Sequence, residues 1–106
     1  MKIDIIGQEW TVELVAPHDP EMQLNGNCCA GVCWKNKHKI CLSNEFKAPH
    51  AKTTIRHELT HAFIFTTQAA VPEKWDEEEM SEFIGIYGKQ ISDLCEVIYN
   101  ELYKGE

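Results

Sequence analysis

The stretch AKTTIRHELTHAFIFTT, residues 51–67, decides how this chain is read. Ile55, Leu59, Ala62, Phe63 and Thr66 recur at steps of three and four, the period of a helix with one apolar face. Pro49 stands just ahead, where proline suits a helix start, and the spacing predicts a helix over residues 51–67. That helix carries His57, Glu58 and His61 in the order His-Glu-x-x-His. Positions four apart are neighbours on a helix, so both imidazoles can address one ion. Glu58 sits one position round from the first imidazole. From there it reaches a water on the metal rather than the metal itself, and can take the proton that a metal loosens. Apart from Glu58, the residues between and just after the two histidines are uncharged, and Ala62-Phe63 begins an apolar run. A half-buried active-site helix needs such flanks. The plain alternative is two histidines and a glutamate on a solvated helix surface.

Upstream of the helix the pattern is that of strands. Residues 3–6 and 10–15 alternate or run apolar around Gly7-Gln8-Glu9 and read as a hairpin. Residues 16–27, with Pro17, Pro20, Gly26 and Asn27, read as a loop. Residues 30–36 and 39–44 form a second strand pair around Lys37-His38. The strand over 39–44 is either an edge, on which an extended peptide can pair by main-chain hydrogen bonds, or an interior strand. Downstream, Met80, Phe83, Tyr87, Ile91, Leu94 and Ile98 mark a longer helix over about residues 76–103. Strands first and helices after imply one α+β domain over residues 1–106. It should hold a small, mainly antiparallel sheet of two hairpins packed against the His-Glu-x-x-His helix and a longer C-terminal helix.

Composition narrows the function. The chain of 106 residues has a net charge of −7 and a pI near 5.2. An acidic surface repels phosphate backbones, so nucleic acid is not the expected partner. No apolar run is long enough to span a bilayer, and the N-terminus lacks the apolar core of a signal peptide. A cytoplasmic protein with no membrane partner is expected. Its cysteines (Cys28, Cys29, Cys33, Cys41 and Cys95) are odd in number and read as reduced thiols. Cys29 and Cys33 fit zinc spacing loosely, but a matching second pair is missing. Small buried hydrophobes are the simpler reading.

A catalytic zinc needs a third protein ligand and one open position. No histidine follows His61, so a carboxylate is required, and the run Asp76-Glu77-Glu78-Glu79 opens the next helix. Two antiparallel helices would return that run toward the histidines. The pattern His-Glu-x-x-His is a metalloprotease signature. Residues 78–85, EEMSEFIG, resemble the glutamate helix of the gluzincins, the thermolysin-like class, whose pattern is Glu-x-x-Ser/Ala-Asp. Over about residues 30–90 the chain resembles minimal gluzincins (minigluzincins) and short phage-type relatives of the ImmA/IrrE metallopeptidases. The resemblance implies a zinc metallopeptidase acting on a protein or peptide substrate. His57, His61 and Glu78 would hold Zn2+, Glu58 would activate the water, and Glu82 would stand in for the aspartate that orients a histidine, here His57. The helical period leaves the third ligand open among Glu77, Glu78 and Glu79, because Glu78 falls opposite the apolar stripe while its neighbours flank it. So short a chain implies a shallow cleft and an activity that is latent or narrow in substrate. Residues 92–106 exceed what the chemistry needs and offer a tail to fold over the cleft. The rival function is a regulatory or interaction protein that keeps the fold with little hydrolysis.

Overall fold

The computed structural model describes residues 1–24, 27–28, 30–67 and 75–103, with the backbone alone at 24, 27 and 28. Two hairpins form as the alternation predicts. β1 (Lys2–Ile5) pairs antiparallel with β2 (Gln8–Val15), and the turn between them places Ile6 and Gly7 at positive φ, 48° and 81°. Glycine at the second position makes such a turn easy. Short β3 (Gln23–Leu24) and β4 (Asn27–Cys28) pair with each other inside the predicted loop. β5 (Gly31–Trp34) pairs antiparallel with β6 (Lys39–Ser43), and His38 closes that turn in the left-handed region.

The two hairpins join through a parallel pairing of β2 with β6, giving the order β1-β2-β6-β5. β6 is therefore interior, which settles the edge-or-interior alternative for residues 39–44, and β5 is the edge. The burial of β6 shows why. Ile40, Cys41, Leu42 and Ser43 are all buried, and a strand covered on both faces belongs in the middle of a sheet.

One face of the sheet carries the main core. Ile3, Ile5, Trp10, Val12, Ile40 and Leu42 pack there with Ile55, Leu59, Ala62 and Phe63 of α1 (His50–Thr67) and with Phe83, Ile91, Cys95 and Ile98 of α2 (Glu77–Leu102). Fully burying a side chain such as Leu59 or Phe63 contributes about 1.5–3 kcal/mol. The opposite face is covered by a single 3-10 turn, Pro20–Met22, within the predicted loop. Met22 is fully buried, as is Cys41, and Val32 nearly so. Trp34 Nε1 donates to the Glu21 carbonyl at 3.0 Å, and Lys39 Nζ pairs with the Glu21 carboxylate at 2.8 Å. Those contacts fasten the turn to the back of β5 and β6.

Both helices match their expected spans within a residue. Four of the threonines in α1 (Thr53, Thr54, Thr60 and Thr67) donate to the carbonyl four residues earlier, which satisfies their hydroxyls without leaving the helix. Asp76 caps α2 by accepting from the Glu79 amide at 2.8 Å, and Glu77, Glu78 and Glu79 fill the first turn. Acids there complement the positive end of the helix dipole. No helix among the described residues is long and apolar enough to cross a membrane.

Candidate metal centre

Strand β5 and the middle of α1 build one cleft. Its walls are Gly31 to Lys35 on one side and His57, Glu58 and His61 on the other, enclosing about 330 Å3. A second hollow of about 260 Å3 continues from it past Ala30, Gly31, His50, Thr53 and Thr54. The two share Gly31, His57 and Glu58, so a groove runs along the edge strand with the motif at its midpoint.

The helical period sets the side chains as the sequence requires. His57 and His61 are exposed and lie with ring centroids 4.9 Å apart. Glu58 is 6 % exposed, turned inward beneath β5. Its carboxylate lies 4.0 Å from His57 Nε2. One donor atom from each of the three lies within 4.8 Å of the others, and among the described residues this is the group of side chains able to hold a metal ion. Two neighbouring imidazoles are ligands suited to a divalent transition ion, and Glu58 stands beside them, close enough to reach a water on it.

Electrostatics favours the forms that this chemistry needs. Partial burial lowers the His61 pKa, and His57 and Lys35 add to the effect. The ring is thereby kept in the neutral form that binds metals. Burial raises the Glu58 pKa, and His57 opposes that only in part. A carboxylate so raised is a better proton acceptor near neutral pH. Cys33 faces the same cleft. Burial and the Glu58 charge push its thiol up to about 12, so it is not the thiolate that a cysteine nucleophile requires. Cys33, Cys41 and Cys95 are free thiols, as expected of reduced cysteines. The side chains of Cys28 and Cys29 lie outside the described residues.

Glu78 is not brought to this group. Lys52 pairs with Glu96 at 2.8 Å, Arg56 Nη1 meets Cys95 Sγ at 3.8 Å, and the Phe63 ring lies 5.8 Å from that of Tyr87. Those contacts fix the antiparallel register and put residue 89, or about that, level with His61. Glu78 lies about eleven residues beyond, roughly 16 Å along the axis at 1.5 Å per residue. Rotation matters as much. At about 100° per residue, the direction of Lys52, Arg56 and Phe63 differs by about 140° from that of His57 and His61. α1 therefore turns its histidines toward β5 and away from α2. Glu77, Glu78 and Glu79 are exposed in the capped first turn of α2. Glu82 lines a separate hollow with Thr67, Glu79, Phe83, Ile86 and Tyr87, on the α2 side of α1, away from His57. Among the described residues, the C-terminal tail does not line the cleft either; residues 104–106 lie outside them. α2 runs to Leu102, and Tyr103 after it is buried in the core and stacks on Tyr99 at 4.9 Å.

Sequence reasoning passed over Gly31. A Cβ there would lie 2.8 Å from Thr54 Cγ2, 3.0 Å from Glu58 Cγ and 3.2 Å from Glu58 Oε2. Hydrogen at this position is what lets β5 rest directly on Glu58. Gly31→Ala is expected to lower stability by about 1–3 kcal/mol, the usual cost of overpacking. Thr54→Ser removes the closest obstructing methyl and should recover part of that loss in the double variant, read by denaturant unfolding. The only signal in the sequence was a glycine opening a strand.

Compared with known proteins, no family model, curated sequence or solved structure matches the chain.

Proposed function

We propose that the protein is a small zinc-dependent metallopeptidase. The observation that carries this reading is the His57–Glu58–His61 group, set at the midpoint of a groove whose other wall is an edge strand. His57 and His61 would hold the metal, and Glu58, close by and raised toward neutrality, would hold and move the proton. A bound zinc supplies a water of lowered pKa and polarises the carbonyl under attack. β5 offers its free edge to an extended peptide, so main-chain hydrogen bonds would lay a scissile bond across the histidines. Substrates are unfolded or extended protein segments, because only an extended backbone can pair with a strand edge.

The gluzincin resemblance supports the motif and its helix, whereas the register of α2 argues against Glu78 as the third ligand. The reaction is tested with an unstructured protein as substrate. Hydrolysis should be abolished by a chelator and restored by adding about one equivalent of zinc. Hydrolysis that persists in chelator would overturn the zinc mechanism, and none at any zinc level favours the rival reading of a metal-holding interaction protein.

A further inference from the structure

Charge is distributed unevenly along the groove. Lys35 and His61 both line the cleft, and neither lines the hollow at the other end of the groove. Lys37 and Lys39, two and four positions on, are both tied to Glu21, and Lys39 also to Glu13. Lys2, Lys52 and Lys89 are paired as well, whereas Lys47 and Arg56 also lack an acidic partner but line neither hollow of the groove. Among the described residues Lys35 has no acidic partner, although the chain carries 17 acidic residues against 10 basic ones. What sets Lys35 apart is its place, because it lines the cleft that holds the motif. Among the described residues no carboxylate other than Glu58 lines that cleft, and Glu58 is buried beneath β5. The other end of the groove, at Ala30, His50, Thr53 and Thr54, holds no lysine or arginine among the described residues.

We propose that Lys35 is a specificity-determining residue that binds a carboxylate of the peptide lying along β5, on the His61 side of the motif. The inference rests on reading the groove as a peptide-binding site. It does not require that the bound peptide be cut. The net charge of −7 works against anionic ligands at long range, so the selection is local and has to come from contact with Lys35. The carboxylate is either an acidic side chain or a chain terminus, and the two are separable.

The test uses the zinc-loaded Glu58→Gln protein, in which binding is measured without turnover. Fluorescent short-peptide pools carry a fixed glutamate or a fixed glutamine at each position in turn, with the C-terminus free or amidated. The glutamate pool is expected to bind about three- to tenfold more tightly than the glutamine pool at one register, as suits one partly screened ion pair. Preference for the free over the amidated terminus would assign the carboxylate to the chain end instead. Adding Lys35→Gln should erase the preference, Lys35→Arg should keep it, and salt should shrink it. Equal binding by all pools, a preference that survives Lys35→Gln, or no binding by any pool overturns the proposal. A wild-type protein that binds acidic peptides through Lys35 yet cuts none would sink the peptidase reading and leave this one standing.

Discussion

Exchanging Glu58 for glutamine is expected to lower peptide hydrolysis by about 10²- to 10⁴-fold, the usual contribution of a general base, while leaving the metal in place. Glu58 is buried under Gly31, so an amide of the same shape fits without repacking. The amide cannot accept a proton as a carboxylate does. Its raised pKa comes mainly from burial, which the variant retains, so the change isolates proton transfer from packing. Hydrolysis and bound zinc should be measured on the same preparation. Lost hydrolysis with zinc retained assigns Glu58 to the proton. Loss of both would make Glu58 a ligand, which its distance from the imidazoles also permits. Undiminished hydrolysis would remove it from the chemistry.

Metal affinity should collapse in His57→Ala and in His61→Ala. Each removes one of two imidazoles, and losing even a residue that merely orients a ligand costs 10- to 100-fold. A fall beyond about a hundredfold is therefore expected. Both histidines are exposed, so the metal-free variants should melt within about 0.5 kcal/mol of the metal-free parent, as surface changes do. The difference should appear only when zinc is added. Zinc at a hundred times its dissociation constant stabilises the parent by about 2.7 kcal/mol, and the variants should gain far less. Glu78→Ala, remote from the group in both height and rotation, is expected to keep its metal. Loss of zinc in that variant would show that the first turn of α2 reaches across to the histidines after all.

The two strand pairs and both helices are legible in the sequence because each rests on local periodicity. Ile55, Leu59, Ala62 and Phe63 share a helical face whatever they pack against, and that face turns His57 and His61 outward as a pair. The parallel pairing of β2 with β6 is not legible, because it joins strands that lie far apart in the chain and no local pattern records it. The 3-10 turn at Pro20–Met22 hides for a similar reason. Met22 looks like one apolar residue in a polar loop until the back of β6 is seen to need a cover. Glu78 illustrates the limit most sharply. The spacing between His61 and the acidic run is legible, and so is the antiparallel return of the second helix. The rotation of α1 about its own axis is not. It depends on which side chains meet α2, and Lys52, Arg56 and Phe63 do so from the side opposite the histidines. The acidic run then has a simpler role, with Asp76 as cap and three glutamates at the positive end of the helix. Gly31 and Lys35 matter only because β5 lies at the edge over α1, and that placement is tertiary.

The most direct measurement is the metal content of the protein, by elemental analysis after purification without chelator or a metal-affinity column. About one zinc per chain is expected, lost in His57→Ala and His61→Ala and kept in Glu58→Gln. A chain that carries no metal and takes up none at micromolar zinc would contradict that expectation, and would return His57 and His61 to the surface of an ordinary helix.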